Sequence, residues 1–427
     1  MGSEMCIRDR CRSRPSVRRV ALPVRAYNQV PCGEPSRFLT MCQIRSAHET
    51  QPVRGAWQYC QMGPLSGLRV VELAGQGPGP YCGMMLADLG CDVVVIDRPS
   101  DAARADTSKP ATNLFMRGKR SIALDLKVAA DNELLLSLLD EADVFIDPFR
   151  PGVCERLGIG PDIVCERNPR MIYGRMTGFG QDGPLAQAAG HDIDYIALSG
   201  ALWILGREGQ KPTPPINLVG DFAGGGLMLA MGIAAAAFER SVSGRGQVID
   251  AAMVDGAALV AAPFFPATAS GYWGPRGTNH IDTGAHFYEV YECADGAYVA
   301  LGAIEPQFYA ELLSKLGLSP DEFPQWNRGQ WPALKQRLSD IFIAQTRDHW
   351  CALLEGSEAC FAPVLSPAEA SKHPHNIARG TFVEINGVTL PGPAPRFSRT
   401  VSSAGTPSHA GTHTELARRG ELWTQRP

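Results

Sequence analysis

LRVVELAGQGPGPYCGMMLADLGCDVVVIDRP, residues 68–99, decides the fold class. Residues 68–73 are a short apolar run broken off by Gly, Gln and Pro, the pattern of a buried strand. Residues 75–80 read as a turn. Residues 81–89 read as a helix, with Pro80 suited to a first helical position and Gly90 to a stop. Residues 91–96 are a second strand, ended by Asp97, Arg98 and Pro99. Strand, glycine turn, helix and strand open an α/β fold. Asp97 lies about twenty residues past the first strand, which invites a dinucleotide reading. That fingerprint wants a third glycine at position 80, for close helix packing, and Pro80 stands there. A tight turn that starts a helix is the better account.

The alternation continues outward. Residues 121–126 predict a strand, 128–141 a helix, 143–146 and 171–173 strands, 222–240 a long buried helix and 247–250 a strand. Such a chain builds a mostly parallel, Rossmann-like sheet covered on both faces. The pattern then changes. Residues 287–303 predict two antiparallel strands about the turn Asp295-Gly296, followed by helices at 306–316 and 331–345 and a strand at 360–365. The expected organisation is an extension at 1–61, a large α/β domain at 62–250, a linker at 251–283, a small α+β domain at 284–372, and a return segment at 373–427 that packs on the large domain.

At 427 residues the chain has room for two or three domains. Its net charge of −4 hides an asymmetry: residues 1–61 carry ten Arg, no Lys and four acids, which leaves −10 for the remainder. A body that acidic is a poor partner for nucleic acid. The Arg-rich head reads either as a transit peptide or as an upstream stretch that is not native, with Met62 as a natural start; the second reading is favoured. The twelve Cys form no C-x-x-C pair, so they suggest neither a zinc site nor a disulfide framework. A reducing compartment fits, the cytoplasm first, with the mitochondrion or peroxisome as alternatives; the terminal Gln-Arg-Pro is no peroxisomal signal. No run of about 18 apolar residues suggests a membrane span.

Two segments carry chemistry, Gly190-His191-Asp192-Ile193-Asp194-Tyr195 and Asn217-Leu218-Val219-Gly220-Asp221-Phe222-Ala223-Gly224-Gly225-Gly226. His191 suits general-base work near neutral pH. Asp221 has two readings: an N-cap for the following helix, or an acid–base group at its start. Gly224, Gly225 and Gly226 are costly in a first helical turn. They make sense if something approaches the backbone there, such as a thioester oxygen gaining enolate charge at a positive helix end.

These stretches, with residues 68–99, RGKRSIALDLK (117–127), FRPGVCERLGIGPD (149–162), GRGQVIDAAMVDG (244–256) and GAIEPQFYAELL (302–313), keep their order over most of residues 62–400. Together they resemble the racemase branch of the family III CoA-transferase superfamily, the CaiB/BaiF type. The resemblance implies an isomerase that interconverts (2R)- and (2S)-2-methylacyl-CoA thioesters by 1,1-proton transfer through an enolate. It implies His191 and Asp221 as the two bases, Glu305 orienting the His, and Asp192 partnering Asp221. It also implies Arg98, Leu124, Asp125, Leu126, Lys127, Gly190, Ile193, Asp194 and Tyr195 as substrate or CoA contacts. No metal and no cofactor beyond the CoA of the substrate are expected. The expected partner is a second copy of the chain in an interlocked homodimer, which would supply Glu305.

Two positions depart from the family's pattern. Asp194 replaces a usual Asn, and His286 stands where Gly-Ala-Pro-Phe-Tyr has Pro; His286 reads as a polar contact outside catalysis. One rival is a CoA-transferase in which Asp192 forms an acyl anhydride. Those relatives carry an aromatic before the Asp and a Gln four residues after it, where this chain has His191 and Ile196. A second rival is an acyl-CoA-binding protein without activity.

Overall fold

The computed structural model describes residues 63–424, and the expected extension at 1–61 lies outside the described residues. The main sheet has six strands: β1 (Arg69–Leu73), β2 (Asp92–Asp97), β3 (Lys119–Ala123), β4 (Val144–Asp147), β5 (Ile172–Thr177) and β6 (Val248–Ala252). Their order is β3-β2-β1-β4-β5-β6, and every neighbouring pair is parallel. Val70, Val71, Val93, Val94 and Val95 are buried, as strands covered on both faces require. In this order the chain reverses its direction of growth between β1 and β4. Loops leaving the carboxyl ends of those two strands diverge there and open a crevice.

Several bounds differ from the sequence expectation in ways that matter. The helix after β1 begins at Pro78, not at 81, and runs Pro78–Asp88; two prolines fit its first turn, where amide donors have no partner to lose. Strand β3 pairs with β2 only over Lys119–Ala123, so residues 124–127 form a loop, tied by the Leu124 amide to the Asp97 carbonyl at 3.0 Å. The outer edge of β3 is covered by the C-terminal segment. His413 N donates to Ser121 O at 2.8 Å, and Ala123 N donates to Thr414 Oγ1 at 2.9 Å. A covered edge offers no template for stray pairing.

The long helix departs most. It starts at Leu218, as ten residues of π-helix (Leu218–Leu227), and continues as α-helix over Met228–Ser243. Its expected full burial does not occur. Leu229, Ala230, Ile233 and Ala236 pack inward, while Phe238 and Val242 are 74% and 78% exposed. Among the described residues this run, Leu218–Ser243, is the one helix long and apolar enough to cross a membrane by length and composition.

A second sheet, antiparallel, joins β7 (Tyr288–Glu292), β8 (Tyr298–Gly302) and β9 (Phe361–Val364). Helices Pro306–Leu316, Trp331–Phe342 and Arg347–Leu354 cover it, around a core of Phe287, Tyr291, Trp331, Phe342 and Trp350. His286 belongs to this core. It is fully buried, and its Nε2 lies 2.7 Å from the Tyr309 hydroxyl. That hydroxyl donates to Phe323 O, so Nε2 carries the proton, and Nδ1 has no partner among the described residues.

Candidate active site

The crevice at the strand-order reversal is a cavity of about 440 Å³. Its walls come from the carboxyl ends of four strands: Gln76 and Gly77 after β1, Phe149 and Arg150 after β4, Met176–Phe179 at β5, and Met253 after β6. His191 and Asp221 both line it. The two residues are 30 apart in sequence and reach one space from different helices.

His191 is the residue just before helix Asp192–Leu198. Asp194, three residues on, accepts from the His191 amide at 2.9 Å, which closes the helix start and fixes the backbone bearing the imidazole. Asp194 therefore has a local structural task, one that an Asn oxygen at the same position would also perform. The Tyr195 hydroxyl donates to Gly190 O. The Tyr195 ring meets Phe179 edge-on at 5.0 Å, and a Cβ on Gly190 would come within 2.8 Å of it. Gly190 and Tyr195 line the cavity, whereas Ile193 points to solvent at 46% exposure.

Asp192 turns the other way. It is buried, and its Oδ2 accepts from the Asp221 amide at 2.7 Å. Burial pushes its carboxyl up from the ordinary range, and the Asp221 charge adds to this; the amides of Asp221 and Gly220 pull it back. The expected partnership of Asp192 with Asp221 thus runs through the backbone of Asp221. Asp192 Oδ1 has no hydrogen-bond partner among the described residues. A Cβ on Gly220 would lie 2.4 Å from Asp192 Oδ2, so only glycine lets this carboxylate reach the next amide.

Asp221 is not an N-cap, because its helix starts three residues earlier. Its Oδ2 accepts from Asn217 Nδ2 at 2.7 Å, one turn back. Sequence reasoning missed Asn217, although the four-residue spacing was a readable signal. It also missed Arg150, the one cation among the described residues that line the cavity, together with Phe149 and Phe222. The oxyanion assignment of Gly224, Gly225 and Gly226 needs correction. All three are buried away from the cavity. A Cβ on Gly224 would meet Ala257 N at 2.6 Å, one on Gly225 would meet Pro78 Cβ at 2.9 Å, and one on Gly226 would meet Pro78 O at 2.6 Å. What approaches their backbone is the protein itself.

The remaining expected contacts lie elsewhere. Arg98 is exposed just after β2, and Asp125 and Lys127 are exposed on the loop after β3; Leu124 is buried there and Leu126 half-buried. None of them lines the cavity, and Glu305, exposed at the start of helix Pro306–Leu316, does not line it either. Among the described residues no group of three or more His, Cys, Asp or Glu side chains is placed to hold a metal ion.

Comparison with known proteins adds the lineage. A model described as CoA-transferase family III matches residues 65–414. An α-methylacyl-CoA racemase of Mus musculus is 48% identical over 356 residues, which span 82% of this chain and 91% of the relative. One of Homo sapiens is 46% identical over the same shares of both chains. The solved structure of a CaiB/BaiF family protein from Brucella suis matches with a TM-score of 0.73 at 28% identity, over 85% of this chain and all of that one. This chain belongs to CoA-transferase family III.

Proposed function

We propose that the chain interconverts the (2R)- and (2S)-epimers of a 2-methylacyl-CoA thioester by 1,1-proton transfer, with His191 and Asp221 as the two bases. The carrying observation is that an imidazole and a carboxyl from separate helices face one cavity. Inversion at carbon needs a base on each face of a planar intermediate. Neutral His191 takes the α-proton from one epimer while protonated Asp221 returns one to the opposite face; the reverse reaction exchanges the roles. The thioester acidifies the α-carbon, so the step calls for no redox cofactor and no metal. Arg150 supplies positive charge beside the developing enolate. Arg98 and Lys127, exposed past the ends of β2 and β3, suit the phosphates of the CoA. The identity of 46–48% to α-methylacyl-CoA racemases supports the same reading.

The rival transferase needs Asp192 to attack a thioester. Its carboxylate is buried, bound to the Asp221 amide and absent from the cavity wall, which favours the racemase. We further infer a homodimer. The exposed apolar face of Leu227, Met231, Phe238 and Val242 is what a second copy would cover, and Glu305 of that copy is then free to approach His191. A monomer in sedimentation at working concentration contradicts the dimer. The activity test uses a 2-methylacyl-CoA in deuterium oxide with no acceptor acid. Inverted product carrying one deuterium at C2 is expected. Turnover that strictly requires an acceptor acid means a transferase, and binding without exchange means a protein that only carries acyl-CoA.

A further inference from the structure

Beneath the first turn of helix Pro78–Asp88 lies an ion pair with no evident part in proton transfer. The Lys119 side chain is fully buried and that of Glu72 is 1% exposed, with Nζ and Oε2 2.6 Å apart. Burial pushes the Glu72 carboxyl up, and Lys119 opposes the push. A buried ion pair is weak support for stability, since an apolar pair of similar volume often serves as well or better. The apolar cluster on this side of the sheet includes Val70, Cys82, Leu86 and Val93, and the carboxyls of Asp88 and Asp97 lie within electrostatic reach of Lys119. The second bond of Lys119 is what an apolar pair cannot replace: Nζ donates to Pro80 O at 2.9 Å. Space has been kept for this arrangement, because a Cβ on Gly83 would fall 1.7 Å from Glu72 Oε2.

The turn that Lys119 grips is the surface on which Asp221 rests. Pro78 O and Pro78 Cβ abut Gly226 and Gly225 of the π-helical segment. The Tyr81 ring lies 5.0 Å from that of Phe222, the residue after Asp221. A Cβ on Gly77 would lie 3.0 Å from Asp221 Oδ2. His191 is held by other contacts, those of Asp194 and Tyr195. We propose that Lys119, held by Glu72, is a positioning residue for Asp221: by anchoring Pro80 O it sets the first turn of helix Pro78–Asp88, and through that turn the place of one of the two bases. The proposal rests on the two-base reading above and assigns Lys119 to one face of the substrate only.

The test is the double substitution Lys119→Met with Glu72→Leu, which leaves no lone buried charge. Deuterium uptake at C2 is followed for each epimer separately, and Asp221→Ala identifies which epimer presents its hydrogen to Asp221. That epimer should exchange at least about tenfold more slowly in the double variant, given that misplacement by about 1 Å costs roughly a hundredfold. The other epimer should stay within about twofold, with KM nearly unchanged, since uniform binding is untouched. Equal slowing of both epimers, or slowing of neither, overturns the proposal. If the double variant does not fold, Lys119→Arg keeps a cation for Glu72, and the same asymmetry is required of it. Wild-type protein that exchanges neither epimer removes the racemase reading itself, and this proposal with it.

Discussion

Asp221 is constrained twice, once at its carboxylate by Asn217 and once at its amide by Asp192, each at 2.7 Å. The Asn217 bond is to a charged acceptor whenever Asp221 is ionised, and such bonds contribute about 1.5–3 kcal/mol. Asn217→Ala should therefore lower kcat by about tenfold to a hundredfold, with KM little changed because the contact is with the base and not the substrate. Steady-state racemisation measures this, and an unchanged kcat contradicts it. At this scale the sequence was half legible. His191 and Asp221 stood out as residue types suited to acid–base work, and they do share a cavity. The inward turn of Asp192 did not show, since it depends on an amide 29 residues away that no local pattern encodes.

At the scale of elements, the π-helical turns of Leu218–Leu227 carry both Asp221 and the glycine triplet. Single π-turns are uncommon and often occur at functional sites. Here the widened turns bring the backbone of Gly224 against Ala257 and that of Gly226 against Pro78. A methyl at Gly226 would meet a carbonyl 2.6 Å away, an atom that cannot rotate aside. Overpacking of this kind costs about 1–3 kcal/mol. Gly226→Ala should lower Tm by several degrees and reduce activity together with it; a melt matching wild type counts against this packing role. The glycines were visible as an anomaly, but their reading failed. A residue without a side chain looks the same whether a ligand or another helix approaches it. Elements with self-contained signals read better. The Val-rich runs of β1 and β2 gave both strands to within a residue at each end, and Pro306–Leu316 begins and ends where its proline and Gly317 place it.

At the scale of the whole molecule, acid stability is tied to His286. Burial pushes its imidazole down to about 4 from an ordinary 6.5, with Lys335 adding to the effect. The folded state thus binds fewer protons than the unfolded one between those values. Its contribution is present above pH 6.5 and is lost as pH falls toward 4, up to about 3 kcal/mol. His286→Leu should flatten the decline in denaturant midpoint over that interval, while the Tyr309 hydroxyl keeps its bond to Phe323 O. A decline parallel to that of wild type contradicts this account. The expected role of His286 outside catalysis agrees with its place in the core of the smaller sheet, but its protonation could not be read without the burial around it.

The central claim is that two different bases serve opposite faces of one carbon, and exchange by single-base variants tests it most directly. His191→Ala and Asp221→Ala are each given the two epimers separately in deuterium oxide, and C2 exchange is followed by NMR. Each variant should lose inversion yet keep exchange with one epimer, and the epimer kept should differ between the two. Both variants silencing the same epimer, or either one retaining inversion, would contradict the account.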